Sequence, residues 1–410
     1  MSGGVSSIPL GVLDVFNILN QELVIEKILL TVEGGDTNMC LSPYSILVLV
    51  GLLLLGAEGG TAKELFTALK LDKFSKKEVE QAFHVWVDKS LTINEVQRLH
   101  TATVLLIGSG LRPCMDYLEM VDRVFRAKVV GGADVDEKDY SKILIEVKKW
   151  AESSLRNDTI SSDFFTSRLS FSTAFTCSIH TGITFKCAWN VPFRLSKTLP
   201  LDFTLDGGRK VRVLFMSKTS SRFRYGSHNI ESNEGYSVLS MYFSDRWYRM
   251  YIILPSKLNG MQFLVNTIKR DNGFFANIEE KVNVLPRNTK VSVLLPRFVV
   301  DQQQLDLRAA LERMGIKHVF NGEFADFSGA FVNGHTPLVD VKHSAKIEFN
   351  EKGVSATAVS SGRVCADGVR HGKTEVIQFV ADHPFLYAIQ DTRTSGFLFL
   401  GKIVNPSLTA

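Results

Sequence analysis

Glu351-Lys-Gly-Val-Ser-Ala-Thr-Ala-Val-Ser-Ser-Gly-Arg-Val-Cys-Ala-Asp-Gly-Val-Arg-His-Gly372 interrupts strand-like sequence with a run that could form almost no core of its own. From Gly353 to Gly362 it carries no charge and no aromatic. One parity reads Val354, Ala356, Ala358, Ser360, Gly362, Val364, Ala366, all of them small. The other reads Ser355, Thr357, Val359, Ser361, Arg363, Cys365, Asp367, mostly polar. Alternation at period two marks a strand with one buried face. A buried face of small groups suits a strand that slips between neighbours already packed, where bulk would overfill the gap. A flexible surface linker fits this window too, because small residues favour one. The rest of the chain separates the two readings.

Upstream, residues 10–32 place Val12, Leu13, Phe16, Leu19, Leu23 and Leu30 at helical spacing before Gly34-Gly35-Asp36 breaks the pattern. Ser42-Pro43 predicts a helix start, with Ser42 as cap and Pro43 in the first turn. The helix from Tyr44 to Gly56 is apolar all round and belongs inside a large core. Thr61-Ala-Lys-Glu64 has capping-box spacing. Amphipathic helices are predicted at 75–95, 115–126 and 136–156, with shorter ones at 259–270 and 303–314. Strand-like runs occupy 99–107, 170–185, 211–217, 236–243, 248–254, 290–300 and 376–402. No repeat or linker divides the chain, so a single α+β domain over 1–410 is expected.

Hydrophobic content of 45% with 22% charge describes a globular chain and excludes a disordered one. The net charge of +4 is too slight to point to nucleic acid. Lys70, Lys73, Lys76 and Lys77 sit beside Asp72 and Glu78 and read as a solvated helix face. Cys40, Cys114, Cys177, Cys187 and Cys365 show no C-x-x-C spacing, which argues against zinc and thiol-redox chemistry. The apolar run 46–55 is too short to span a bilayer, and the N-terminus lacks a secretory pattern. A cytoplasmic location with reduced thiols is expected, an unconventional route of secretion being the alternative, with no cofactor, metal or membrane partner. No G-x-S-x-G, H-E-x-x-H or Walker motif is present, and Gly368–Thr374 is one residue short of a P-loop.

Several segments, in order from end to end, resemble the serpin family of protease inhibitors. They are Asn38-Met-Cys-Leu-Ser42-Pro43-Tyr-Ser45-Ile46 with Gly56-Ala57-Glu58-Gly59-Gly60-Thr61, and Ile183-Thr-Phe185-Lys186-Cys-Ala-Trp189-Asn-Val-Pro192-Phe193. Leu295-Pro296-Arg297-Phe298, Ala325-Asp326-Phe327-Ser328-Gly329 and His343-Ser-Ala-Lys-Ile-Glu-Phe-Asn350-Glu351-Lys-Gly353 follow. Ala381-Asp382-His383-Pro384-Phe385-Leu386 and Phe399-Leu-Gly401-Lys-Ile-Val404-Asn405-Pro406 close the series. Each is weak alone; together they are specific.

The resemblance implies three β-sheets (A, B and C), eight to nine helices, and an exposed reactive-centre loop at about 351–375. It implies no enzyme but a suicide substrate. A protease cuts the loop, is held as an acyl-enzyme, and is distorted when the cut loop inserts into the central sheet. The native fold is then metastable. Matching positions make Glu351, Gly353, Val354, Ala356 and Ala358 the hinge. Ser42, Ser45, Thr181 and His343 become the shutter where central strands part, Trp189 the breach aromatic, and Arg297 the partner of Glu351. Thr181 stands where the family usually has Asn, Cys187 where it has Gly, and Lys346 replaces an aromatic. Val354 stands where Thr or Ser is common.

The usual count from the hinge glutamate puts the cut between Asp367 and Gly368. Val364-Cys365-Ala366-Asp367 resembles a caspase or granzyme B substrate, and poxvirus serpins that block caspases use a similar aspartate. Counting back from Ala381-Asp-His-Pro384 points instead to Arg370 before His371, which would suit a trypsin-like serine protease; Arg363 is the third choice. The expected partner is therefore a protease of one of these kinds, met by a monomer. The rival is a non-inhibitory serpin acting as carrier, chaperone or storage protein. Those generally carry bulky, charged or proline residues in the hinge, and Gly353–Gly362 has none.

Overall fold

The computed structural model describes residues 37–91, 99–133, 140–155, 177–229, 234–271, 273–282, 285–286, 289–354 and 375–408. Among them are seven α-helices: α1 (Pro43–Gly56), α2 (Gly59–Ala68), α3 (Lys76–Leu91), α4 (Met115–Phe125), α5 (Tyr140–Ser154), α6 (Met261–Arg270) and α7 (Arg308–Arg313). The helix expected over 10–32 lies outside the described residues.

The strands form three sheets, as expected. The central sheet runs β3 (Lys128–Gly131), β2 (Leu99–Ile107), β4 (Cys177–Phe185), β13 (Leu338–Phe349), β14 (Gly353–Val354), β5 (Cys187–Ala188), with β12 (Phe298–Asp306) on the far side of β13. A six-stranded sheet runs β1 (Met39–Leu41), β17 (Phe397–Ile403), β16 (Phe385–Asp391), β10 (Tyr248–Pro255), β9 (Tyr236–Tyr242), β8 (Arg224–His228). The smallest runs β15 (Glu375–Val380), β11 (Thr289–Pro296), β7 (Lys210–Ser220), β6 (Leu199–Thr204).

Helix α1 explains how the layers join. All 14 of its residues are buried, and it packs on both β4 and β17, filling the space between the central and six-stranded sheets. Its uniform apolarity makes no solvent-facing stripe, so an interior position is the one that buries it fully. Ser42 caps it as expected: its hydroxyl accepts from Ser45 N at 3.1 Å, with Pro43 in the first turn. Thr61 does not cap α2, whose cap is Glu58. Thr61 instead donates to Phe324 O at 2.9 Å and accepts from Asp326 N, while Glu64 accepts from Lys317 and His318 amides. Both capping-box side chains are thus taken up by the 317–326 segment.

The middle of the central sheet is a parallel seam. β13 pairs with β4 in parallel, His343 opposite Thr181 and Ala345 opposite Ile183, whereas β2–β4 and β12–β13 are antiparallel. Along β13, Val341, His343, Ala345, Ile347 and Phe349 are buried. Lys342 and Lys346 reach acids outside the core: Lys342 pairs with Asp306 at 3.0 Å and Asp340 at 2.9 Å, and Lys346 with Asp301 at 3.2 Å. The helix expected over 303–314 is shorter. Residues up to Asp306 continue β12, because after a bulge between Gln302 and Leu305 the strand pairs again, Leu305 with His343 and Asp306 with Lys342. Asp306 then accepts from Arg308 N at 2.9 Å and α7 begins.

Candidate functional site at the top of the central sheet

At the end of β13 the chain reverses in a turn built by Asn350. Its side-chain oxygen accepts from Lys352 N at 3.0 Å and Gly353 N at 3.3 Å, and its own amide donates to Gly353 O at 3.0 Å. This is an Asx-type turn, in which a side chain replaces a backbone acceptor. Gly353 is required by proximity: a Cβ there would lie 2.1 Å from Cys187 O.

The turn drives the hinge between two strands. Val354 pairs with Phe349 on one side and Cys187 on the other, Gly353 pairs with Ala188, and Val354 is fully buried. The expectation of an exposed loop from residue 351 is therefore corrected for its first residues. Glu351, Gly353 and Val354 are buried, and only Lys352 among those four is exposed. Ala356, Ala358, Asp367, Gly368, Arg370 and His371 lie outside the described residues.

Trp189 closes this end of the sheet. Its ring stacks on Phe243 at 4.7 Å between centroids and on Phe349 at 6.1 Å, and Nε1 donates to Asn350 O at 3.0 Å. Its amide donates to Lys352 O at 2.8 Å, and Phe193 N donates to Glu351 O at 2.9 Å. Cys187 Sγ lies 3.5 Å from Asp245 Oδ2.

Glu351 is held by three donors on one oxygen. Arg297 approaches through Nε at 2.8 Å and through Nη2, and the Thr198 hydroxyl donates to the same Oε1. Burial opposes ionisation of the carboxyl, yet the bonds from Thr198 and Arg297 outweigh it and hold the group below its usual range. The Glu351–Arg297 contact is thus present. Thr198 was missed in the sequence, where nothing marks a threonine 153 positions away as a partner.

Lower in the sheet, Ser42, Ser45, Thr181 and His343 are all buried. Ser42 N donates to His343 Nε2 at 3.1 Å, so the neutral ring carries its proton on Nδ1. Burial pushes the imidazole down to about 3. Nδ1 and the Ser45 hydroxyl have no partner among the described residues. Thr181 is bonded sideways to Thr103 at 3.0 Å. The seam thus holds unmet hydrogen-bonding capacity at its centre. No cluster of three or more His, Cys, Asp or Glu suited to a metal occurs among the described residues.

Comparison with known proteins agrees with this arrangement. Neuroserpin of Gallus gallus is 29% identical over 374 residues, covering 90% of this chain and 87% of that protein. Serpin B10 of Otolemur garnettii is 27% identical, covering 92% and 96%. Among solved structures, human thyroxine-binding globulin complexed with thyroxine superposes with a TM-score of 0.79 at 24% identity, covering 97% of this chain and 100% of that one. Uncleaved ovalbumin superposes at 0.77 with 21% identity, covering 95% and 100%. The serpin (serine protease inhibitor) family model matches residues 27–406, and the chain belongs to that family.

Proposed function

We propose that the chain inhibits endopeptidases as a suicide substrate, cut within 355–374 and then trapping the protease by inserting the cut segment between β4 and β13. One observation carries this reading: Val354 already occupies the gap between those two lines of strand. Continuing its two registers by two residues at a time sets Ala356 between Ile347 and Phe185, and Ala358 between Ala345 and Ile183. Ser360 then falls between His343 and Thr181, and Gly362 between Val341 and Ile179. Three of these pairs, Ala345–Ile183, His343–Thr181 and Val341–Ile179, already face each other across the present seam, so both registers close on one solution. Every flanking residue is buried, and every incoming residue of this parity is small. Ser360 would bring a hydroxyl to the level of the unmet Nδ1 of His343.

Insertion exchanges one parallel ladder for two antiparallel ones, which pair slightly better per residue. The net addition is on the order of ten hydrogen bonds at about 1 kcal/mol each, before any apolar burial. Relatives of this family are for the most part protease inhibitors, which favours this reading over an enzyme. The scissile bond assigned is Asp367–Gly368, for an aspartate-specific protease of the caspase or granzyme B type, with Arg370–His371 as the alternative. A cytoplasmic monomer belongs to the same reading.

The test incubates the protein with caspase-1, caspase-8, granzyme B and trypsin. An SDS-stable or co-purifying complex is expected, with a released peptide beginning at Gly368 and a higher melting temperature for the cleaved form. Cleavage with neither a complex nor a thermal gain overturns the inhibitor reading.

A further inference from the structure

We infer that the outer edge of β15 is a self-association surface, on which a second copy of this chain seats its own β15 antiparallel about a two-fold axis through Gln378. The inference goes beyond the proposed function and does not depend on a protease. β15 is six residues long and pairs with β11 alone, in an unbroken parallel register from Thr289–Glu375 to Leu294–Val380. Ala381 N donates to Leu294 O at 2.9 Å, so by alternation Glu375, Ile377 and Phe379 turn their backbone groups to β11. Val376, Gln378 and Val380 turn theirs away, and among the described residues nothing bonds them on that side.

An exposed edge is a template for another strand, and folds ordinarily blunt it. The other edges of this molecule are blunted. β1 has three residues, and β3 has four and ends at Gly131 with φ of 100°. β6 carries Pro200 and Asp202, and its Thr204 amide is taken by Asp382 O. β8 carries Arg224 and His228, and β12 breaks register between Gln302 and Leu305, beside Asp301. After Glu375, β15 has no charge, proline, glycine or bulge. Val376 is 43% exposed and Gln378 is exposed, while Phe379 packs inward against Tyr225 at 6.4 Å between centroids.

The sequence of the strand decides which occupant fits. In Val376-Ile-Gln-Phe-Val380, β-branched and aromatic residues stand symmetrically about Gln378. In an antiparallel pair centred there, Gln378 meets Gln378 of the second copy, Val376 meets Val380, and Ile377 meets Phe379. All three outward-turned residues then face outward-turned residues, which closes about six backbone hydrogen bonds. Centring the pair on Ile377 or Phe379 would close about four. Apolar pairs of these kinds are favourable across strands. The single charge of the strand, Glu375, falls opposite Ala381, so no like charges meet. The contact is isologous and closes at two copies. So short an edge buries too little for a permanent dimer, so the monomer remains the acting form and the pair forms on concentration.

The experiment follows sedimentation velocity of the full-length protein from about 1 µM to about 1 mM. It compares wild type with Gln378→Lys, Gln378→Glu, their equimolar mixture and the control M115S/V332S, whose two residues are each 66% exposed elsewhere. Wild type and the control are expected to pass from monomer to dimer. Each charged variant alone sets like charges against each other at the axis and is expected to weaken dimerisation by about tenfold or more. The mixture sets Lys against Glu and is expected to dimerise at least as well as wild type. Growth past the dimer, equal dimerisation by the charged variants, or a mixture as weak as its components overturns the two-fold edge. Should wild type stay monomeric throughout, the edge serves a different extended chain or none, and the inference falls. Should the charged variants lower the urea midpoint, Gln378→Pro decides. It removes an outward N–H and no bond to β11, and is expected to abolish the dimer while the monomer stays folded.

Discussion

Replacing Val354 with Glu tests whether the parked hinge is the first step of insertion. Val354 is wholly buried between Phe349 and Cys187. An ionised carboxylate left there would cost several kcal/mol, with no cation opposite it among its strand partners. Expelling the hinge is the cheaper response. It forfeits the burial of one valine, about 1.5 kcal/mol. It also forfeits the strand pairing of Gly353 and Val354, about 1 kcal/mol each. The total is roughly 3–4 kcal/mol, and 3 kcal/mol on the first step of insertion is about a hundredfold in rate. Val354→Glu should therefore be cut as fast as wild type while the fraction of protease captured falls by up to about two orders of magnitude. The assay titrates protease against inhibitor, reads the ratio of complex to cleaved product on denaturing gels, and follows urea denaturation of the uncut proteins. An unchanged ratio together with an unchanged midpoint would refute the argument, because the buried hinge would then be irrelevant to both capture and stability.

Arg297→Ala leaves the Glu351 carboxylate with only Thr198. Because the Arg297 side chain is 33% exposed, a discounted loss of about 2 kcal/mol is expected in urea denaturation. The Glu351 carboxyl is depressed in the folded state, so its contribution is present above the unfolded value of 4.5 and lost as pH falls through the folded one. Glu351→Gln should erase that acid-side dependence in a pH series of midpoints. His343 works in the opposite chemical sense with the same direction: the fold keeps it neutral to about 3, while the unfolded chain protonates near 6.5. Stability should fall by about 1.4 kcal/mol per pH unit from 6.5 down towards 3, and His343→Asn should flatten that slope. Gly353→Ala should mimic hinge expulsion without adding charge, since its Cβ would strike Cys187 O; a midpoint equal to wild type would contradict the close approach.

Local chemistry was legible in the sequence wherever the partner is also local. Ser42-Pro43 announces its cap, and α1 announces its burial by having no polar side. Asn350-x-x-Gly353 carried a turn signal of the same kind, although only the family likeness was read from it. Strand β13 was not recognised as a strand from its pattern, because Asp340, Lys342, Lys346 and Glu348 depress the apparent propensity. Those charges are tolerated because Asp306, Asp340 and Asp301 neutralise the lysines from the outside of the sheet. The residues of 303–306 looked helical because glutamine and leucine suit helices, and register with β13 overrode that preference. Thr198 and the sideways bond between Thr103 and Thr181 are long-range pairings of common residues, which no spacing rule reveals.

The Asn350 turn also sets a phase. It sets Gly353 and Val354 antiparallel to the strands on either side with Val354 buried, and a cut segment inserted in that register would turn its even-numbered residues inward. Loss of one residue between Gly353 and Gly362 would swap the two sets, sending the polar parity towards Ile347, Ala345 and Val341 and the alanines into water. Lengthening or shortening this run by two residues preserves the phase. Single-residue insertions and deletions here should therefore be more damaging to capture than most substitutions, in the way a frame error exceeds a misspelling.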